Sequence, residues 1–178
     1  IKISIIDDGS TSNDNRLGAV KDIAYAIEMC NIKDDILVLA GDNVLDFSIK
    51  GFIEFYLKNK RTCIMCHDEP SIEKLRKTGV VCMQDNGKVI SMQEKPMNPM
   101  SHWAVPPFYI YPESVLECIL NRVNESDVKV DAPGEFIEWF CGNYEVYAYQ
   151  MPGNRYDIGD IESYESVNRE FGEKEKHD

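Results

Sequence analysis

An α/β domain built on a mostly parallel sheet, with at least one antiparallel element, is the fold class this sequence predicts. Three observations predict it. Short apolar runs alternate with segments of helical spacing for most of the chain. The run Asp35-Ile36-Leu37-Val38-Leu39-Ala40 stops abruptly at Gly41-Asp42-Asn43, as a buried parallel strand does. Asp85-Asn86-Gly87 separates two strand-like runs, which is a hairpin signal.

The elements follow in order. Residues 1–6 (Ile-Lys-Ile-Ser-Ile-Ile) read as a strand, and 7–15 as a polar loop. Residues 17–30 have helical spacing, with Leu17, Val20, Ala24, Ile27 and Met29 near one stripe. After the strand 35–40, Ser48 is placed to cap a helix carrying Phe52, Phe55, Tyr56 and Leu57. Residues 61–66 form the next strand and 71–77 a short helix. The hairpin joins strands 80–83 and 88–93. Residues 104–111 form a strand interrupted at Pro106-Pro107. Pro112 opens a helix to about residue 123, at the first-turn position that suits it. A helix over 133–141, a strand over 144–149 and a helix over 161–171 complete the domain. Residues 172–178 are a charged tail expected to fray. The domain is thus residues 1–171, with no internal repeat and no linker.

Composition removes several functions. The chain of 178 residues carries 31 acidic against 19 basic side chains, a net charge of −12. A general nucleic-acid binder needs a basic face to neutralise phosphates, so nucleic acid is excluded as a partner. No apolar run approaches the about 18 residues of a membrane span, and residues 1–6 are too short to be a signal peptide. Six cysteines lie mostly in apolar, periodic segments rather than loops, so a disulfide framework is not expected. Cys63 and Cys66 form one C-x-x-C within a predicted strand, where positions i and i+3 point to opposite faces. Core packing, not metal or redox work, is the expectation for both. Reduced thiols place the protein in the cytoplasm. The chain does not begin with Met and starts inside a predicted strand, so it reads as a fragment.

In sheets of this class ligands bind at the carboxyl ends of strands, which makes the polar residues just after strands the candidates. Asp42 follows the strand 35–40, and Asp157 stands just before the last helix. Two such carboxylates can hold one Mg²⁺, an ion that takes oxygen ligands, keeps several waters and is completed by substrate phosphates. Taken singly, Asp42 begins a turn and Asp157 caps a helix. Glu94-Lys95-Pro96 follows the second hairpin strand; an ammonium beside a carboxylate suits a phosphorylated sugar, the first facing phosphate and the second accepting hydroxyl hydrogens. Taken alone, they are two solvated charges before a turn. His67 and His102 read as surface or satisfied residues.

The order of these motifs resembles the sugar-phosphate nucleotidyltransferases, typified by glucose-1-phosphate thymidylyltransferase, over residues 1–171. Arg16-Leu17-Gly18-Ala19 resembles the family's Gly-containing turn against the base. Gly41-Asp42-Asn43 matches its Gly-Asp-Asn, Gly79-Val80-Val81 its Tyr-Gly-Val-Val with Thr78 in the Tyr place, and Glu94-Lys95-Pro96 its Glu-Lys-Pro. Residues 103–111 resemble its sugar-contacting strand, which includes Tyr109. Tyr156-Asp157-Ile158-Gly159 resembles the segment supplying the second metal carboxylate. The resemblance implies a Rossmann-like three-layer sandwich with a mixed, mostly parallel sheet, of the nucleotide-diphospho-sugar transferase type. It implies joining of a nucleoside triphosphate to a sugar 1-phosphate, or a similar phosphorylated alcohol, with release of pyrophosphate. The implied catalytic residues are Asp42, Asp157 and Lys95, with Mg²⁺ on Asp42 and Asp157. The nucleotide falls to Asn13, Leu17, Gly18, Gly41 and Asp42, and the sugar phosphate to Gly79, Glu94, Lys95 and Tyr109. A homo-oligomer is compatible with this.

Some residues depart from the family. Its N-terminal Gly-rich, Arg-containing loop is not among residues 1–178, so the fold is expected to be N-terminally truncated and the chain inactive alone. Pro106-Pro107 replace a small residue and Gly, Asp160 stands where Thr is usual, and Asn13 lies five residues before Gly18, where thymidylyl members carry a base-reading Gln. Two alternatives remain at this stage. Asp7-Asp8-Gly9-Ser10 resembles the start of family-2 glycosyltransferases, and the missing loop would suit a non-catalytic nucleotide-sugar-binding domain.

Overall fold

The computed structural model describes residues 2–12, 14–125 and 133–174. Asn13 and the tail beyond residue 174 therefore lie outside the described residues. Helix α1 (Ala19–Met29) buries Val20, Ala24 and Ile27, one stripe at i, i+4 and i+7. Strand β1 (Ile36–Leu39) leads through Gly41-Asp42 to a three-residue strand, β2 (Asn43–Leu45). Helix α2 (Lys50–Asn59) follows, with Ser48 Oγ accepting the Lys50 N–H at 3.2 Å. Next come β3 (Thr62–Asp68) and the one-turn α3 (Ile72–Leu75), capped by Ser71. The hairpin is β4 (Gly79–Met83) and β5 (Val89–Glu94), turned at Gly87 with φ 84°. Pro106-Pro107, which cannot donate to a ladder, split the expected single strand into β6 (Trp103–Val105) and β7 (Phe108–Tyr111). A 3₁₀ turn (Glu113–Val115) leads into α4 (Leu116–Asn124), and α5 (Pro133–Asn143), β8 (Val146–Gln150), β9 (Arg155–Asp157) and α6 (Ile161–Lys174) complete the chain.

Seven strands form one sheet in the order β1-β7-β3-β6-β4-β5, with β8 also beside β3; β2 and β9 pair separately. The α/β class holds, but the pairing corrects the mostly parallel expectation. Among the described strand pairs only β3–β8 is parallel. Strand β7 runs antiparallel to both β1 and β3 and so lies between them. Strands β1, β3 and β8 do share one direction, but the first two never bond to each other. Apolar runs report burial and not direction, which is why the sequence pattern missed this. Strand β1 is also less buried than expected: Leu37 is 36% and Leu39 44% exposed.

Residues 2–6 form no strand, a second correction. Ile3 and Ile5 are 83% and 94% exposed, and no strand partner pairs with this segment among the described residues. An extended segment with β-propensity but no ladder partner is not a strand.

The helices make two outer layers. Helices α1, α4 and α5 pack on one face around Ile64, Cys66, Tyr109, Tyr111, Phe136 and Phe140. Helix α2 covers the other through Phe52 and Tyr56 on Cys63, Met65, Phe108 and Ile110. Cys63 and Cys66 thus enter opposite faces, as a strand spacing of three requires, and burial pushes both thiols up to about 12. On the α2 face, α3 adds Leu75 against Val80 and Ala104.

Candidate active site

Two short strands bring distant segments together. Across the β2–β9 ladder Asn43 stands opposite Asp157, and the Ile158 N–H donates to the Asp42 carbonyl at 2.8 Å. The carboxylates of Asp42 and Asp157 converge beside Gly159. A Cβ on that glycine would lie 3.1 Å from Asp157 Oδ1 and 3.8 Å from Asp42 Oδ2. Absence of a side chain keeps the point between them open.

Neighbours fix each carboxylate. Asn43 Nδ2 donates to Asp42 Oδ1 at 2.6 Å, and the Gly159 N–H to Asp157 Oδ1 at 3.1 Å. Arg155 donates from Nη1 to Asp157 Oδ2 at 3.3 Å and to Asn43 Oδ1. The helix-cap role open to Asp157 belongs instead to Asp160, whose Oδ1 accepts the Ser163 N–H at 2.7 Å. That hydrogen bond and the Ser163 hydroxyl hold the Asp160 carboxyl below its usual range. Among the described residues no group of three or more His, Cys, Asp or Glu is gathered to hold a metal. Two converging carboxylates nonetheless fit Mg²⁺, which takes further oxygens from water and phosphate.

A second group sits at the end of the hairpin. Gly79 is opposite Glu94, and a Cβ there would lie 3.2 Å from Glu94 Oε2. A Cβ on Gly134, in the first turn of α5, would overlap the same oxygen. The Glu94 side chain is only 11% exposed, and burial raises its carboxyl above the usual range; Lys95 opposes that, and Glu135 and Glu138 add to it. Lys95 Nζ lies 3.8 Å from Glu94 Oε1. Its backbone is left-handed, with φ 44°, while its N–H donates to the Thr78 carbonyl at 3.1 Å. A non-glycine residue held there costs about 1–3 kcal/mol, and such strain gathers at ligand sites. Tyr109 is buried in the core against Tyr111, with ring centroids 6.0 Å apart. Burial, and after it the Glu94 charge, raises its hydroxyl pKa.

Of the remaining described candidates, Leu17 and Gly18 precede α1 and Gly41 stands in the turn between β1 and β2. Gly18, buried and with φ 94°, forms the start of α1, its carbonyl accepting the Asp22 N–H at 3.0 Å; Leu17 precedes it, 37% exposed. Gly41 has open space around it. Asp7-Asp8-Gly9-Ser10 closes on itself, the Gly9 N–H on Asp7 Oδ1 at 2.8 Å and the Ser10 N–H on Asp8 Oδ1 at 2.9 Å.

Two residues were missed. Arg155 could have been found, because it lies two positions from Asp157 and so on the same strand face. His67 was expected to be satisfied or on the surface. Instead its Nδ1 is buried with no hydrogen-bond partner among the described residues. Burial, and after it the Arg155 charge, lowers its pKa.

A family profile described as nucleotidyl transferase matches residues 2–174. The chain belongs to the nucleotidyl transferase family. A glucose-1-phosphate adenylyltransferase of Fervidobacterium nodosum is 30% identical over 140 residues, which is 76% of this chain and 33% of that protein. A glucose-1-phosphate adenylyltransferase of Lachnospira eligens is 26% identical over 137 residues, 76% of this chain and 32% of that protein. The chain therefore spans about a third of the length of these curated relatives. A UDP-glucose pyrophosphorylase solved with UDP-glucose superposes with TM-score 0.74 at 20% identity, covering 88% of this chain and 63% of that one. A putative glucose-1-phosphate thymidylyltransferase from Bacillus anthracis gives TM-score 0.65 at 24% identity, covering 85% and 60%. Both share the Rossmann-like nucleotidyltransferase fold with this chain. No described helix is long and apolar enough to cross a membrane.

Proposed function

We propose that the gene product carrying this chain joins a nucleoside triphosphate to a sugar 1-phosphate and releases pyrophosphate. The observation that carries this is the convergence of Asp42 and Asp157 beside Gly159. Family membership and the names of the curated relatives support it.

In the reaction an oxygen of the sugar 1-phosphate attacks the α-phosphorus of the triphosphate. The bond from that phosphorus to the bridging oxygen breaks, and pyrophosphate leaves with the electron pair. The attacking phosphate is already ionised at neutral pH, so no protein base is needed. Catalysis is then positioning and charge stabilisation. Lys95 holds the attacking phosphate as a point charge, and Glu94 accepts sugar hydroxyls. Gly79 leaves room beside Glu94, with Tyr109 behind it. Gly18 with Leu17 and Asn13 takes the base side, and Gly41 opens the turn to Asp42. Asp42 and Asp157 would hold Mg²⁺, which supplies charge neutralisation at the phosphates when bound. A reducing, cytoplasmic setting belongs to the same proposal, supported by six free thiols.

Pyrophosphate release from the gene product, assayed with each nucleoside triphosphate and glucose 1-phosphate, tests this. Sugar-dependent release is expected. No sugar-dependent pyrophosphate with any triphosphate, together with release of a nucleoside diphosphate when a nucleoside diphosphate sugar is supplied as donor, would overturn the proposal in favour of glycosyl transfer.

A further inference from the structure

His67 stands near the end of β3, opposite Ala104 across the β3–β6 ladder. Alternation along the strand puts it on the face of Cys63 and Met65, which α2 and α3 cover. From there it lines a cavity of about 490 Å³, the open part of the candidate active site, together with Thr78, Pro106, Pro107, Arg155 and Asp157.

Among the described lining residues, Thr78 and His67 are the polar side chains without a fixed charge. Thr78 is committed, its Oγ1 donating to the Val105 carbonyl at 3.2 Å. Pro106 and Pro107 bring no backbone N–H, and their carbonyls already accept from Phe108 and Ala40. His67 differs. Its Nδ1 is buried and has no hydrogen-bond partner among the described residues. A buried N–H without an acceptor is harder to leave than a buried acceptor without a donor, so the ring proton belongs on Nε2. Burial, and after it the Arg155 charge, opposes a second proton. The ring thus offers the cavity a neutral Nε2–H. Phosphate is bound best by charged donors, whereas a neutral N–H matches a hydroxyl oxygen. A wall that hydrogen-bonds a substrate hydroxyl rejects the analogue lacking it far more strongly than an apolar wall rejects one methylene.

We propose that His67 is a specificity-determining residue of this site, its Nε2–H donating to one hydroxyl of the sugar 1-phosphate. This role rests on the sugar-phosphate reading above and adds to it the group that sets which sugar is accepted. The two prolines sharpen the dependence, because the backbone there has no N–H to take over when the imidazole is lost.

The test crosses the side chain with the hydroxyl. The gene product is assayed for kcat/KM with glucose 1-phosphate and each of its monodeoxy analogues, as wild type, His67→Phe and His67→Gln. Phenylalanine keeps a ring without a donor, and glutamine can set an amide N–H where Nε2 stands. Thermal melts confirm that the variants fold, and His67→Ala replaces His67→Phe if the larger ring unfolds the strand. With glucose 1-phosphate, His67→Phe should lose about tenfold in kcat/KM, the loss of one hydrogen bond, through KM and not kcat. One deoxy analogue should cost the wild type a similar factor and cost His67→Phe nothing more, and His67→Gln should restore discrimination against it. Equal discrimination by wild type and His67→Phe across the whole series overturns the proposal. A wild type that releases no sugar-dependent pyrophosphate removes the transfer reading instead. Calorimetric titration of the same sugar phosphates into wild type and His67→Phe then decides His67 alone, and equal affinities overturn its role.

Discussion

Arg155 bridges Asn43 and Asp157, the two residues that face each other across a ladder only three residues long. That ladder joins segments more than a hundred residues apart in the chain, and it is what sets Asp42 beside Asp157.

Asp42→Asn keeps the size of the side chain and an oxygen for Asn43 Nδ2, and Asp42 is exposed. Stability should change by no more than about 0.5 kcal/mol, while sugar-dependent pyrophosphate release from the gene product falls at least about a hundredfold. Thermal melts and a pyrophosphate assay check the two halves. Near-normal turnover would take Asp42 out of the metal role.

Lys95→Ala should raise KM for the sugar phosphate at least about tenfold, since a charged contact to phosphate is lost, and leave nucleotide affinity near wild type. Steady-state kinetics with each substrate varied in turn distinguish the two. A change confined to the nucleotide would show the assignment of Lys95 to be wrong. Lys95→Gly, which removes both the cation and the left-handed strain, should lose the same sugar-phosphate affinity while melting no lower.

Glu94 gives a pH signature. Burial keeps its proton on to higher pH in the folded protein than in the unfolded chain. Its contribution to stability is therefore full below the unfolded pKa and is lost as pH rises through the folded one. Glu94→Gln does not titrate, so its melting temperature relative to wild type should climb as pH rises through and above the ordinary carboxylate range. A constant difference across that range would mean that the carboxyl is not desolvated.

Gly18→Ala forces a Cβ into a backbone at φ 94°. It should cost about 1–3 kcal/mol in chemical denaturation, because the residue stands before α1 with a non-helical backbone and the helix propensity of alanine gives nothing back.

The thiols offer a check on the layers. Cys63 and Cys66 are fully buried, with pKa values pushed up to about 12, whereas Cys30 is exposed. Iodoacetamide at neutral pH should label Cys30 in the native protein and reach Cys63 and Cys66 only after denaturation, as peptide mass mapping would show.

Much of this was legible in the sequence, for physical reasons. The helix at Val20, Ala24 and Ile27 announces itself by period, and the hairpin at Asp85-Asn86-Gly87 by a turn that demands positive φ at Gly87. Asp42 and Glu94 were legible as polar residues ending apolar runs. Strands β2 and β9 were not, because three residues are too few to show a period. The direction of β7 was not, because Phe108–Tyr111 is buried on both faces and carries no alternation. Nor was the covering of Glu94 by Gly134, which depends on α5 folding back over β5, a contact between segments forty residues apart.

Strand β3 is shared between two sets of partners. Residues 62–66 bond to β8, with Cys63 and Ile64 also meeting β7, whereas His67 and Asp68 bond to β6. The hairpin is nonetheless tied down at its turn as well, where the Gly87 carbonyl accepts the Ala148 N–H at 2.7 Å and Lys88 bridges to Tyr147. Strand β8 therefore grips both β3 and the tip of the hairpin, so that β4 and β5 are pinned to the centre of the sheet at two separate points.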